Sequence, residues 1–136
     1  MKNFEERMVV FHSMYGLPQP TTPQPIPHDR LERFREILGD EMAEGADVLV
    51  LGDELETLTN MADWLCDIIV YCASEAKRHG IPLGECMNII LDSNESKLGE
   101  DGQAIIADGK VQKGPNYWKP EPKLRALLAA RMRDAA

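Results

Sequence analysis

Paired cysteines, long apolar runs and an excess of basic residues are all missing from this sequence. The 3 cysteines, Cys66, Cys72 and Cys86, are odd in number and have no paired spacing, which argues against a disulfide framework. No segment approaches the roughly 18 uninterrupted apolar residues that a membrane-spanning helix needs. The amino terminus also lacks the apolar stretch of a secretory signal. We therefore expect a cytoplasmic protein with no membrane partner.

The shortage of basic residues limits the classes of ligand. The chain contains 15 Lys and Arg against 23 Asp and Glu, which gives a net charge of −8. Proteins that bind nucleic-acid polymers present a basic face, so such a partner is not expected. An acidic surface also repels free nucleotides, and a triphosphate ligand would need a divalent cation as a bridge. With 43% hydrophobic residues, residues 1–136 are predicted to form one globular domain.

Apolar residues recur mainly at helical spacing, which predicts an all-α bundle of four to five helices. Residues 17–27 are rich in proline and are predicted to form an extended linker. An Asp108-Gly109 pair predicts a small hairpin or ordered loop over 103–113. Gly45 is predicted to cap the second helix at its carboxyl end. The predicted helices cover residues 3–15, 29–44, about 53–79, about 83–97 and 122–133, with a helix or turn over 47–51.

The second predicted helix carries a stripe that starts apolar and ends acidic. Its members are spaced 3, 4 and 3 residues apart and are Phe34, Ile37, Glu41 and Glu44. Acidic residues at the carboxyl end of a helix oppose its dipole, at a cost of a few tenths to about 1 kcal/mol each. A functional role is one explanation of their presence there. The alternative is an ordinary solvated helix end.

The third predicted helix carries a second acidic stripe. It consists of Glu56, Asn60, Asp63 and Asp67, spaced 4, 3 and 4 residues apart and flanked by apolar residues. A helix with so many apolar residues is expected to be largely buried, and buried carboxylates need a cation or a proton. A hard divalent metal ion with oxygen ligands satisfies them. The alternative is a set of ordinary salt bridges to Arg33, Arg35 or Lys77.

If these two helices lie side by side, four to six carboxylates surround one pocket. Such a set suits one or more Mg²⁺ ions that bridge phosphate oxygens. A carboxylate that is not saturated by metal would then serve as general base for a water molecule.

Lysines cluster in the carboxyl-terminal third of this otherwise acidic chain. Lys97, Lys110 and Lys113 lie near glycines, Asn94 and the aromatic Tyr117. This composition suits contacts to phosphate together with stacking on a base or sugar. The alternative is that the lysines are solvated surface charges and that Tyr117 packs a loop on the core.

These blocks, taken in order, resemble the all-α nucleoside triphosphate (NTP) pyrophosphohydrolases of the MazG-like and phosphoribosyl-ATP pyrophosphohydrolase-like superfamily, particularly its short members. The resemblance covers residues 10 to about 120. The matching pieces are Val10-Phe11-His12, the proline-rich linker, residues 35–44, residues 62–71, residues 93–98, and residues 108–117.

The resemblance implies a helical bundle that hydrolyses a nucleotide to its monophosphate and pyrophosphate, as a house-cleaning enzyme of the nucleotide pool. It implies Mg²⁺, or Mn²⁺ in its place, and a homodimer or homotetramer. Glu41 and Glu44 match the family's Glu-x-x-Glu ligands, and Asp67 matches the Asp of its Glu-x-x-Asp ligands. All three are expected to be catalytic. The expected nucleotide contacts are Asn94, Lys97, Lys110, Lys113 and Tyr117.

The sequence departs from the family pattern at two positions. Asp40 stands where the family often has a further Glu, and Trp64 stands three residues before Asp67, where a Glu ligand is usual. Asp63 lies on the same helical face as Asp67 and is expected to take that ligand's place. The departure leaves two alternatives open. One is a helical dimer that binds metal or nucleotide without turnover, and the other is a phosphoribosyl-ATP pyrophosphohydrolase.

Overall fold

The computed structural model describes residues 3–134, which contain five α-helices, one short 3₁₀ helix and one hairpin of two strands. The predicted all-α fold is confirmed. Among these residues no helix combines the length and the apolar content that crossing a bilayer requires. The α-helices are α1 (Phe4–Met14), α2 (His28–Ala43), α3 (Glu54–Arg78), α4 (Leu83–Glu95) and α5 (Glu121–Arg133), and the strands are β1 (Ile106–Ala107) and β2 (Lys110–Val111).

The chain divides into two compact units. The first ends at Gly80 and holds α1, α2 and α3, with α1 and α2 both packed on α3. The second begins at Ile81 and holds α4, the hairpin and α5. The expectation of a single domain stays a prediction.

Polar caps define where two of the helices begin. Asn3 accepts a hydrogen bond from the Glu6 backbone at 2.9 Å, and the Glu6 carboxylate accepts one from the Asn3 backbone at 3.3 Å, a reciprocal capping box. Asp53 caps α3 by accepting from the backbone N–H of Glu56 at 3.0 Å. Such a cap contributes about 1 kcal/mol. The start of α3, and hence the register of its acidic residues, is set by this cap.

Residues 17–27 form neither helix nor strand, as the prolines predict. The segment is held against the carboxyl end of α3, where the Gln24 backbone N–H donates to the carbonyl of His79 at 2.9 Å. Gly80 has a φ of +69°, and a Cβ there would lie 2.0 Å from the carbonyl oxygen of Thr22. Glycine is therefore required at this position by conformation and by space.

The predicted helix cap at Gly45 is wrong. Helix α2 ends at Ala43, and the chain continues through a 3₁₀ helix over Glu44–Asp47, so the bounds of the second helix and of the following turn both shift. Gly45 is not among the residues with positive φ. It is needed for a different reason, because a Cβ there would lie 2.5 Å from Cζ2 of Trp64. The glycine allows the indole of α3 to lie against the end of α2.

The expectation that α3 is largely buried is also wrong for this chain taken alone. Its buried residues are Ala73 and Glu75, whereas Leu55 is 75% exposed and Ile69 is 57% exposed. Helices α1 and α2 cover one side of α3 and leave large apolar side chains on the other. Spacing along a sequence shows that a helix is apolar, but it does not show how much of that surface its own chain covers.

In the second unit, hydrogen bonds connect α4 with α5 and with the loop between them. Arg131 of α5 donates to the carboxylate of Glu85 on α4. Buried Ser93 donates to the backbone carbonyl of Trp118 at 2.9 Å. The predicted hairpin is confirmed, and its turn residues Asp108 and Gly109 have φ values of +52° and +71°. Positive φ at both positions is typical of the tight turns that join two antiparallel strands.

A candidate active-site groove in the first unit

Helices α2 and α3 run antiparallel and form a groove with chemically different ends. Glu41 of α2 lies beside Trp64 of α3, whereas Arg30, near the start of α2, pairs with Glu75, near the end of α3. On α2 the residues facing the groove recur every three or four positions, as one helical face requires. They are Arg30, Phe34, Ile37 and Glu41.

The buried carboxylate at the acidic end is Glu41, which is 7% exposed. Its Oε1 is the one buried side-chain oxygen or nitrogen in residues 3–134 that has no hydrogen-bond partner. Burial raises the pKa of Glu41, followed by the negative charges of Glu44 and Asp67, a side-chain hydrogen bond with Glu44, and the charge of Asp63. The other three predicted metal-binding carboxylates are thus near enough to act electrostatically on Glu41.

The sequence predicts that the aspartates of α3 are enclosed, whereas the structure encloses Glu41 of α2. Glu44, Asp63 and Asp67 are exposed, so the predicted burial of Asp63 and Asp67 is wrong. Both aspartates are exposed although they lie near Glu41 of α2. The enclosed member comes from α2.

Trp64 of α3 contacts the carboxyl end of α2. Its indole Nε1 donates a hydrogen bond to the backbone carbonyl of Glu41 at 2.8 Å, and its ring lies against Gly45. A tryptophan in this position ties α3 to the carboxyl end of α2. The side chain thus positions the backbone that carries Glu41, which a ligand at position 64 would not do.

A cavity of about 380 Å³ opens between the two ends of the groove. Asp67 lines it on the acidic side, and Arg30, Ser74 and Glu75 line it on the other. Between them the walls are apolar or aromatic. The remaining lining residues are Phe11, Leu17, Phe34, Ile37, Val70 and Tyr71. An apolar cavity with a few convergent polar groups is the usual form of a small-molecule site.

The far end of the groove holds a second buried carboxylate, Glu75. Arg30 donates to it twice, from Nη2 to Oε1 at 2.5 Å and from Nε to Oε2 at 3.0 Å. His79 Nε2 lies 2.7 Å from Oε2. Burial alone would raise the pKa of Glu75, but the hydrogen bonds and charges of Arg30 and His79 hold it below its usual value. Each of the two carboxylate oxygens therefore has at least one partner.

A buried histidine fixes the hydroxyl of Ser74. His12 is 0% exposed, and its Nδ1 donates to the backbone carbonyl of Pro18 at 2.8 Å. In the neutral ring Nε2 then accepts, so the Ser74 hydroxyl, 2.8 Å away, is the donor. The hydroxyl proton of Ser74 then points to His12, and the hydroxyl oxygen can accept hydrogen bonds from a group in the cavity.

Sequence reasoning missed Arg30, Ser74 and Glu75. A signal was present, because the α2 stripe extends one turn further back from Phe34 to Arg30. On α3 the face of Asp67 continues at spacings of four and three to Tyr71 and Ser74. The site predicted from the sequence includes only the acidic residues of these two stripes.

In the second unit the structure brings three of the five predicted nucleotide-binding residues together. The Nζ atoms of Lys97 and Lys113 lie 5.9 and 5.0 Å from the ring centroid of Tyr117, within cation–π range. The Gly114 backbone N–H donates to the carbonyl of Lys97 at 2.7 Å and holds the loop in place. Asn94 lies exposed near the end of α4, where its carbonyl accepts from the Lys97 backbone N–H at 3.2 Å, and Lys110 lies in β2 of the hairpin.

The acidic end has the chemistry of a divalent metal site without a preformed cage. Four carboxylates with an unpartnered buried oxygen are the donors that Mg²⁺ prefers. Within residues 3–134, however, no three Asp, Glu, His or Cys side chains are already close enough to hold one ion. The carboxylates are neighbours, and binding would require their side chains to turn toward a common centre.

Comparison with known proteins bears on the fold. No protein-family model matches the chain, and no curated protein matches it either. The chain is similar to a crystal structure described as that of a "putative NTP pyrophosphohydrolase" from Exiguobacterium sp. 255-15. The two share 24% sequence identity and a TM-score of 0.59, with 100% of each chain covered. At this identity the similarity shows a common fold over the whole length.

Proposed function

We propose that this protein is a Mg²⁺-dependent pyrophosphohydrolase that converts a nucleoside triphosphate, or a related nucleotide, to its monophosphate and pyrophosphate. The observation that carries the proposal is the unpartnered Oε1 of buried Glu41 among three further carboxylates. A buried carboxylate without a partner is costly, and a cation offsets that cost. The description of the structural neighbour supports the same reaction class.

The metal would be held by Glu41, Glu44, Asp63 and Asp67. When bound, Mg²⁺ would neutralise phosphate oxygens and stabilise charge on the leaving pyrophosphate. Asp67 faces both the acidic end and the cavity, so it is placed to accept a proton from an attacking water. Glu41, Glu44 and Asp67 are the proposed catalytic residues.

The lysine cluster of the second unit is proposed to contact the nucleotide. Lys97 and Lys113 place two positive charges over one ring, that of Tyr117, and an anionic phosphate would relieve their mutual repulsion. Asn94 and Lys110 are proposed as further contacts on the strength of the family resemblance.

Self-association is also proposed, on the evidence of the exposed side of α3. Its apolar residues there recur at alternating spacings of three and four and are Leu55, Leu58, Ala62, Leu65, Ile69 and Cys72, all exposed. This is the seam pattern by which helices pair along their length. A homodimer or homotetramer of this chain would cover that seam.

Light scattering at micromolar concentration tests self-association. We expect a mass of two or four times the 15.3 kDa of one chain. Leu58→Glu, in the middle of the seam, should lower that mass, whereas Glu54→Gln at the start of α3 should leave it unchanged. A wild-type mass of one chain would contradict the proposal.

A turnover assay with a panel of nucleotides tests the activity. Pyrophosphate release is measured with Mg²⁺ through an added pyrophosphatase, and chromatography identifies the nucleotide product. We expect monophosphate and pyrophosphate. Diphosphate with inorganic phosphate would show attack at a different phosphorus, and no turnover of any nucleotide would favour the binding-only alternative. Turnover of phosphoribosyl-ATP alone would assign the histidine-pathway reaction instead.

A further inference from the structure

The cavity between the two ends of the groove has the features of a base-binding pocket. Resting on the proposed function, we propose that it holds the nucleobase of the substrate and selects a 2-amino-6-oxopurine, the guanine type. The length of the cavity and the hydrogen-bonding groups at its inner end both suit such a base.

The position of the cavity fits a nucleoside whose phosphates lie at the acidic end. Asp67 and Glu75 are eight residues apart on α3, which places them about 12 Å apart along the helix axis. That span is similar to the length of a nucleoside from its 5′ oxygen to the far edge of its base. The cavity of about 380 Å³ lies between them, with aromatic walls from Phe11, Phe34 and Tyr71 that suit a planar ring.

The inner end offers acceptors from two side chains. With the His12 ring neutral, the Ser74 hydroxyl donates to Nε2, so toward the cavity it can only accept. The Glu75 carboxylate has about four acceptor sites, of which three are used by Arg30 and His79. The remaining site is on Oε1. Two adjacent acceptors, one of them charged, therefore face the cavity.

Arg30 supplies the donor at the same end. Its Nε and Nη2 are used by Glu75, and within the described residues Nη1 makes no hydrogen bond. Because Glu75 fixes the guanidinium in a bidentate pair, the Nη1 donors have a defined direction. The inner end thus presents two acceptors and one donor, and the Tyr71 hydroxyl, which also lines the cavity, can take either role.

These donors and acceptors complement the hydrogen-bonding edge of guanine better than that of any other common base. Guanine presents one acceptor, O6, and two donors, the ring N1–H and the 2-amino group. Uracil and thymine present two acceptors and one donor, cytosine presents one donor and two acceptors, and adenine presents one of each. A base that leaves a buried carboxylate or hydroxyl without its hydrogen bond is disfavoured.

Equilibrium binding of nucleoside monophosphates tests the inference without any turnover. The full chain is titrated with GMP, IMP and UMP in the presence of Mg²⁺, which offsets the repulsion between the phosphate and the acidic end, and chemical shifts are followed by NMR. IMP differs from GMP only in lacking the 2-amino group. We expect GMP to bind about tenfold more tightly than IMP or more, with UMP weaker than both. Equal affinity for the three, within about threefold, a preference for UMP, or no detectable binding of GMP would overturn the inference.

Two variants locate the preference in the cavity. The 2-amino group uses one of the two acceptors, so one of Glu75→Gln and Ser74→Ala should reduce the difference between GMP and IMP, and the other should weaken both ligands alike. Glu85→Gln removes the same charge from an ion pair of the second unit and should leave this difference unchanged. An unchanged preference in folded Ser74→Ala and folded Glu75→Gln would place the base elsewhere. The wild-type comparison stands even if one of these variants fails to fold.

The same experiments separate this inference from the proposed function. Turnover of many nucleotides with no preference for GMP in binding would overturn the base assignment and leave the activity in place. Selective GMP binding by a protein that hydrolyses nothing in Mg²⁺ would support the base pocket and overturn the activity.

Discussion

Glu41 and Glu75 lie at opposite ends of one groove and are almost equally buried, at 7% and 8% exposure. Their surroundings differ completely. Glu75 receives two hydrogen bonds from Arg30 and lies against His79, and its pKa is lowered. Glu41 has an oxygen without a partner and three carboxylates nearby, and its pKa is raised. The degree of burial therefore does not indicate the role of a carboxylate. Its hydrogen-bond partners and neighbouring charges do.

The comparison gives each end of the groove a separate energetic role. The ion pair of Glu75 joins α2 to α3, so its loss should affect folding. The carboxylates around Glu41 repel one another until a cation binds, so their loss should affect activity and leave the fold intact. Each prediction below tests one side of this contrast.

The largest effect is expected for Asp67→Asn. This substitution keeps the size of the side chain and removes a charged ligand and the proposed general base. We expect Mg²⁺-dependent turnover to fall by about two orders of magnitude or more, with folding retained. Turnover is measured by pyrophosphate release, and folding by circular dichroism.

Asp29→Asn is the matched control, since Asp29 is an exposed aspartate in the first turn of α2. Its turnover should equal that of the wild type. If Asp67→Asn keeps wild-type turnover, Asp67 has been assigned wrongly and the two ends of the groove do not differ as proposed.

The second effect is expected for Arg30→Met, which leaves Glu75 buried without its main partner. Breaking a buried ion pair costs about 3–5 kcal/mol, and the partial exposure of Arg30 (26%) places the expectation near the lower limit. Arg33→Met is the control, because its pair with Glu36 is exposed and should contribute about 0–0.5 kcal/mol. Urea unfolding measures both. Equal losses of stability would remove the contrast between the ends of the groove.

The helices and the hairpin could be predicted because their signals are local. Apolar spacing marks one face of a helix over a few turns, and Asp108-Gly109 suits a turn with positive φ at both positions. The acidic stripes at the end of α2 and on α3 could be identified for the same reason, because helical spacing is also a local signal.

The pairing of residues distant in sequence could not be predicted. Arg30 and Glu75 are 45 positions apart, and only the antiparallel packing of α2 and α3 brings them together. The same packing decides that Glu41 is enclosed and Asp67 is not. Gly45 was assigned to a helix cap because its actual role depends on Trp64, which lies on the other helix. Long-range contacts, and not local propensity, decide each of these features.

The third effect concerns the pH dependence of stability at the paired end. Because the pKa of Glu75 is lower in the folded protein than its unfolded value of about 4.3, its contribution is complete above that pH. The contribution is lost as the pH falls through the lowered value. We therefore expect wild type to exceed Glu75→Gln in free energy of unfolding at about pH 6, and the difference to shrink at about pH 3.

Urea unfolding at the two pH values measures this difference. Glu32→Gln serves as control, because Glu32 forms an exposed pair with Arg35 and its removal should matter little at either pH. A difference between wild type and Glu75→Gln that is the same at both pH values would show that Glu75 acts through packing rather than through its charge.

The smallest effect, and the one of opposite sign, is expected for Glu41→Gln in the absence of metal. The amide has the size of the carboxyl group but carries no charge, and its N–H₂ can donate to a neighbouring carboxylate. Repulsion from Glu44, Asp63 and Asp67 is thereby relieved, so Tm measured with a chelator should rise slightly above that of the wild type. Mg²⁺ should then reverse the order, because an ion that binds only the folded wild-type protein raises its Tm, whereas the variant has lost a ligand.

Glu36→Gln, an exposed change on the same helix, should show neither the rise nor the altered response to Mg²⁺. A Glu41→Gln protein that is less stable than wild type in chelator would mean that Glu41 already has a structural partner, and the two buried carboxylates would then be alike.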